Sequence, residues 1–174
     1  GAQLTGLALE PERLDSTGHP LFEALNSAKR LGDSHCIGDI RNPQIVAAAV
    51  EASQPEIVLH LAAQPLVRRS YDDPLGTWST NVQGSLNLLE ALKPLEHTCA
   101  VVMVTTDKVY ENQEWDYGYR ESDRLGGHDP FSASKAAAEL AIASWSDSFC
   151  GSAPHQRPHL AIATARAGNV IGGG

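Results

Sequence analysis

Residues 56–61, Glu56-Ile57-Val58-Leu59-His60-Leu61, run directly into Ala62-Ala63-Gln64-Pro65, and the reading of this junction decides the fold. The first six residues are nearly all apolar and either β-branched or large. That is the pattern of a strand covered on both faces of a parallel sheet, so a central position is expected. Upstream, His35-Cys36-Ile37 is a short apolar run closed by Gly38-Asp39. Asn42-Pro43 then opens an amphipathic stretch through Val50, with proline at a first helical position where its missing N–H has no partner to lose. Further back, Gln3 to Leu9 reads as a strand. The Pro, Asp and Gly cluster from Pro11 to Pro20 reads as a loop before helical spacing at Leu21, Phe22 and Leu25.

Downstream of the junction, Asp73-Pro74 starts a long helical stretch in which Leu75, Trp78, Val82, Leu86, Leu89 and Leu92 recur at three- and four-residue spacing until Pro94. Ala100 to Val104 is a further strand, Asp129-Pro130 caps a helix running to about Phe149, and Leu160 to Ala165 is a last strand. Strands separated by helices of this length need crossover connections. The expected fold is therefore α/β: a Rossmann-like, doubly wound parallel sheet with helices on both faces and ligands at the carboxyl ends of its strands.

Composition narrows the classes of function. The 174 residues carry 13 Lys and Arg against 21 Asp and Glu, a formal charge of -8, with 42% hydrophobic residues. Core material is too plentiful for disorder, and no apolar run approaches the ~18 residues of a membrane span, so no membrane partner is expected. The acidic balance argues against nucleic acid as a partner, because such binding needs clustered cations to displace counterions from phosphates. Cys36, Cys99 and Cys150 are odd in number and far apart, which argues against a disulfide framework or any metal site and for a reducing compartment, the cytoplasm. The chain opens at Gly1 without Met and stops on Gly172-Gly173-Gly174, and we expect it to be a segment of a longer protein.

Polar residues fall just past four of the expected strands: Asp39, then Ala62-Ala63-Gln64, then Thr105-Thr106-Asp107-Lys108, then Arg166 and Asn169. Each alone would read as an ordinary loop or cap residue. Their coincidence at four strand ends, where an open α/β sheet builds its site, is the signal. Phe131 and Lys135 add a second feature, since residues four apart share one helix face. Taken by itself that pair would be a buried aromatic and an exposed lysine.

Several segments together carry a resemblance. They are Ile37-Gly38-Asp39-Ile40-Arg41, Pro55 to Val58, His60 to Arg68, Asn81-Val82 with Gly84 and Leu88 to Ala91, Gly118 to Glu121, Leu125 to Pro130, and Arg166 to Gly174. On these the chain resembles the extended short-chain dehydrogenase/reductases, and among them the CDP-glucose 4,6-dehydratases. The resemblance covers nearly the whole chain, in detail from about Gly32 onward. It implies an enzyme that takes NAD and acts on the nucleotide-sugar CDP-glucose. In that reaction C4 of the glucose is oxidised, the C5 proton and the C6 oxygen leave as water, and hydride returns to C6.

Carried over residue by residue, the resemblance implies that Asp39 and Ile40 lie against the adenine and that Leu61, Ala62, Ala63 and Gln64 border the ribose and phosphates. Lys135 would hold the nicotinamide ribose. Asn81 would position Lys135 through hydrogen bonds, with a plain helix-surface asparagine as the alternative. Thr106 would bond the C4 hydroxyl, and Asp107 would protonate the leaving oxygen. Lys108 would be either the base at C5 or an electrostatic partner of the enolate. Arg68, Tyr119, Arg120, Arg166 and Asn169 would face the substrate, with Arg68, Lys108, Lys135 and Arg166 as local cations for its phosphates. A homodimer is implied through the helices at Asp73–Lys93 and Phe131–Phe149, with Ala136-Ala137-Ala138 suited to the contact and core packing as the other reading.

Two departures from the family pattern stand out. Phe131 occupies the place of a tyrosine whose phenolate, its pKa lowered by the lysine, takes the hydroxyl proton. An engineered trap, divergence to a binding protein and rescue by Thr106 or Tyr110 are the competing explanations. The family's Gly-rich turn and first strand would precede Gly1, so residues 1–174 are expected to be a partial NAD-binding domain, incomplete at its N-terminus. Most of the substrate domain would lie elsewhere, and NAD binding by this chain alone would be weak.

Overall fold

The structure, a computed structural model, describes residues 2–11 and 34–170. The helical spacing at Leu21, Phe22 and Leu25, most of the expected Pro11–Pro20 loop, and Ile171 to Gly174 lie outside the described residues. In chain order the elements are β1 (Gly6–Ala8), β2 (His35–Ile37), α1 (Pro43–Ser53), β3 (Ile57–His60), α2 (Val67–Asp72), α3 (Pro74–Trp78), a π turn (Ser79–Gln83) and α4 (Gly84–Leu92). After these come β4 (Cys99–Thr106), a 3₁₀ turn (Asp107–Val109), α5 (Pro130–Phe149) and β5 (Leu160–Ala167). The strands pair in parallel throughout, β1 with β2 and, separately, β3-β4-β5. Val58 lies opposite Val101, and Thr105 opposite Arg166.

Local chemistry sets the helix boundaries. Asn42 Oδ1 accepts from the N–H groups of Gln44 and Ile45 at 3.0 and 3.3 Å, and Pro43 follows it, so α1 starts there. Gln54 ends α1 in the left-handed region at φ 42°. Asp129 caps α5 by accepting from Ser132 N at 2.9 Å and Ser132 Oγ at 2.6 Å.

Two expectations need correction. Among the described residues, 56–61 stand at the edge of a three-stranded sheet rather than at its centre: β3 pairs only with β4, which is the middle strand. Nor do the described residues cover β3 on both faces. The helices pack against the face that carries Val101 and Met103, while Ile57 (70% exposed), Leu59 and Leu61 lie bare on the other. The order β3-β4-β5 advances in one direction, so right-handed crossovers carry both of its connections over the face that bears Val101 and Met103.

The long helix is interrupted as well. A π turn inserts residues between α3 and α4, and each extra residue rotates the downstream helix by about 100°. Leu75 and Trp78 consequently point outward, while Leu88, Leu89 and Leu92 enter the core with Val46, Val50, Ile142, Trp145 and Leu160. Ala138 lies in this core and Ala136 is buried as well, as the core-packing reading of that alanine run expects.

Candidate functional site

Where β4 and β5 end, a pocket of about 890 Å³ opens, bordered by Asp107, Lys108, Tyr110, Tyr119, Glu121, His128 and Arg166. Thr106, the last residue of β4, is buried directly before this lining. Thr106 Oγ1 accepts from Lys108 N at 3.3 Å, capping the 3₁₀ turn, and donates to Asp107 Oδ1 at 3.1 Å. A tight turn straight after a central strand thus presents the carboxylate of Asp107 and the ammonium of Lys108 side by side. Lys108 makes no ion pair with any described residue.

Beneath the rim sits Glu139, 4% exposed, on the inner face of α5. Thr105 Oγ1 donates to one of its carboxylate oxygens; Thr164 Oγ1 and Arg166 Nη2 donate to the other, each at 3.1 Å. Burial alone would raise this carboxyl group's pKa, but the Arg166 guanidinium and the two threonines hold it below the usual carboxylate range. Arg166 also donates from Nη1 to Tyr110 Oη and to the Glu121 carbonyl, both at 3.0 Å, and lies 5.0 Å from the Tyr110 ring centre. Arg166 therefore lines the pocket as one half of an ion pair rather than as the free cation expected of it. Tyr110 stacks on Tyr119 at 4.9 Å, and Tyr119 meets Trp115 at 5.2 Å, which makes an aromatic wall.

A second polar assembly lies behind the end of β3. Asn81, 1% exposed and held by the π turn, accepts from Gln64 N at 2.8 Å, donates to the Gln64 carbonyl at 3.2 Å, and donates to Ser134 Oγ at 2.9 Å. It is not the plain surface asparagine of the alternative reading. It joins the Ala62-Ala63-Gln64 loop to the residue next to Lys135, and no direct bond from Asn81 to Lys135 occurs. Lys135 is 8% exposed, and one of its three donors reaches the Val104 carbonyl at 3.2 Å. Desolvation lowers its pKa, partly offset by the nearby charge of Glu139. Phe131 is buried at 6%, and its carbonyl accepts from Ser134 Oγ. The pair is thus a buried aromatic and a buried lysine.

The remaining expected residues are distributed more widely. The Gln64 side chain is used within its own loop, on Leu66 and Thr77. Asp39 is gripped by Arg41 through Nε, Nη2 and the backbone N–H, which keeps its carboxyl group below its ordinary range. Ile40 packs toward Gly84 and gives its carbonyl to Asn87 Nδ2 at 3.0 Å. Arg68, Arg120 and Asn169 are exposed and lie outside the pocket lining, and the Arg120 N–H is taken by Asp123. Sequence reasoning missed Glu139, although its place one helical turn beyond Lys135 was a usable signal. It also missed His60 and Ser85, which an apolar strand and a helix conceal.

A parallel α/β sheet with polar groups gathered at the carboxyl ends of β3, β4 and β5 defines a nucleotide-handling class of domain. Comparison with known proteins narrows this. The family profile described as GDP-mannose 4,6 dehydratase matches residues 21–153, and the chain belongs to that family, within the extended short-chain dehydrogenase/reductases. It is 45% identical over all 174 residues to CDP-glucose 4,6-dehydratase of Salmonella typhimurium, and 34% identical over 117 residues, 59% of the chain, to CDP-paratose 2-epimerase of Salmonella typhi. These alignments span 47% and 35% of the two relatives, so the chain covers about half or less of their length. Among solved structures it resembles a double mutant of DesIV, a dTDP-glucose 4,6-dehydratase from Streptomyces venezuelae with NAD and DAU bound. The TM-score is 0.61 at 28% identity, covering 78% of this chain and 45% of that one.

Proposed function

We propose that residues 1–174 form part of the NAD-binding domain of a nucleotide-sugar 4,6-dehydratase that converts CDP-glucose to its 4-keto-6-deoxy derivative. The observation that carries this reading is the placement of Asp107 and Lys108 together in one pocket lining, with Thr106 bonded to Asp107 at the end of β4 and Lys135 buried behind the same strand. The residues fit the cofactor. Ala62 and Ala63 leave the end of β3 free of bulk, and Lys135 retains two donors for ribose hydroxyls after its bond to Val104. When bound, NAD would supply the hydride acceptor and donor. The chain's own residues supply the rest: Thr106 orients a hydroxyl, Asp107 delivers a proton to the leaving oxygen, and Lys108 removes the C5 proton or stabilises the charge left behind. Asp39 and Ile40 border the adenine, and Leu61 to Gln64 and Asn81 shape the cofactor side. Tyr119 and Arg166 wall the sugar, with Arg68, Arg120 and Asn169 further out toward the nucleotide.

A second reading, a nucleotide-sugar or NAD-binding module without turnover, is favoured by Phe131, which has no proton to exchange. Absence of a general base costs about 10²–10⁴-fold in rate. The experiment is to incubate the protein with CDP-glucose and NAD+ and follow the 4-keto sugar, alongside Phe131→Tyr. A gain in the variant supports the dehydratase; binding without product in either protein supports the module; an epimerised sugar nucleotide overturns both. We also propose a cytoplasmic homodimer. The exposed apolar side chains of Leu66, Tyr71, Leu75 and Trp78, with Leu140 on α5, support the pairing surface.

A further inference from the structure

We propose that His60 is a positioning residue for the cofactor-side assembly, acting through Ser85 on the π turn that holds Asn81. Proton counting fixes the state of the imidazole. Ser85 Oγ donates its single proton to the Asn81 carbonyl at 2.8 Å, so the 3.0 Å contact between Ser85 Oγ and His60 Nε2 is satisfied only if the imidazole donates from Nε2. Nε2 therefore carries a proton, and burial on β3 at 6% exposure, with the charge of Lys135 nearby, disfavours a second one on Nδ1.

The chain of bonds leads from this imidazole to the loop after β3. Between α3 and α4 the backbone departs from α-helical pairing, and the Asn81 carbonyl is held by Ser85 in an i to i−4 side-chain bond. That bond and the imidazole behind it fix the orientation of the peptide from which the Asn81 side chain projects. The Asn81 amide then fixes both backbone groups of Gln64 and the hydroxyl of Ser134, beside Lys135. Four residues, His60, Ser85, Asn81 and Ser134, thus form one buried polar line from β3 to α5. Loosening its first member releases the loop after β3 without touching the pocket at β4.

The functional weight of this line rests on the proposed cofactor role of Lys135, whereas the positioning itself is measurable without it. Backbone amide exchange of Gln64 is the probe, since its N–H bonds to Asn81 Oδ1. In His60→Leu and Ser85→Ala, exchange at Gln64 should accelerate about tenfold, the loss expected for one hydrogen bond, while Leu89 and Met103 amides stay protected. His60→Gln, which restores a donor near the Nε2 position, should keep Gln64 protected. If His60→Leu does not fold, Ser85→Ala carries the test. Unchanged exchange in Ser85→Ala, or equal loss in His60→Leu and His60→Gln, overturns the proposal. Calorimetric titration of the same proteins with NAD+ separates the two readings. Faster exchange at Gln64 with NAD+ affinity unaltered would retain the positioning role and sink the assignment of this side to the cofactor.

Discussion

Acidification offers a quantitative handle on the buried imidazole. Burial, reinforced by the charge of Lys135, pulls the His60 pKa from its ordinary 6.5 to about 4. The folded value lies below the unfolded one, so between these limits the unfolded chain binds more protons. The stability contribution of His60 is thus present in full above pH 6.5, declines as pH falls, and is gone below about pH 4. At 1.36 kcal/mol per unit the loss reaches about 1.4 kcal/mol at pH 5.5 and about 2.5 kcal/mol at pH 4.5. Asp39 and Glu139, whose carboxyl groups are held low in the fold, add losses of their own at the acid end. The variant His60→Gln retains those and lacks the imidazole. Urea unfolding of both proteins at pH 7.5, 6.5, 5.5 and 4.5 should show the wild type losing about 2.5 kcal/mol more than the variant across the series. Parallel curves for the two proteins would refute the claim that His60 is held neutral and desolvated in the fold.

Other substitutions probe the pocket and its supports. Glu139→Gln leaves the Arg166 guanidinium without its anion in a largely buried setting and should lower unfolding free energy by about 3 kcal/mol, read by denaturant titration. Asp129→Ala removes both capping bonds at the start of α5 and should cost about 1–2 kcal/mol by the same measure. Gly84→Ala would place a Cβ 2.7 Å from Ile40 Cγ2, a branched side chain that cannot swing aside. The clash should outweigh the gain of about 1 kcal/mol in helix propensity, so the thermal midpoint should fall rather than rise.

Strands and helices with an uninterrupted signal were legible from residue type. Ala100 to Val104 and Leu160 to Ala165 lie within β4 and β5, and the Asp129-Pro130 cap begins α5 at the expected residue. Legibility failed where a local event changed the phase or where coverage depends on topology. The apolar spacing from Leu75 to Leu92 assumes one unbroken helical period, and the π turn breaks it, which turns Leu75 out and Asn81 in. The apolar run at 57–61 reports burial potential for both faces, whereas the described helices cover only the face that Val58 and His60 share with Val101 and Met103. At the site, Thr106, Asp107 and Lys108 were found because they come directly after an apolar run. Arg166 was found as well, but its pairing with Glu139 requires knowing that α5 lies across β4 and β5. Asp39 and Ala62-Ala63-Gln64 were marked by their place after strand ends, but their cofactor roles came from the resemblance, since small side chains such as Ala62 and Ala63 carry no chemical signature of their own.

A single helix, α5, keeps the two halves of the site in register. Lys135 reaches the Val104 carbonyl beside Ser134 of the assembly behind β3, and Glu139, one turn on, anchors Arg166 at the pocket past β4; the two positions are separated by about 6 Å along one rigid axis. Any shift or tilt of that axis moves both in concert, so spacing between the two compartments is fixed by helical pitch rather than by loops. Variation in the loop between Tyr110 and Leu125 can therefore reshape the wall of the pocket while the spacing between Lys135 and Glu139 stays constant.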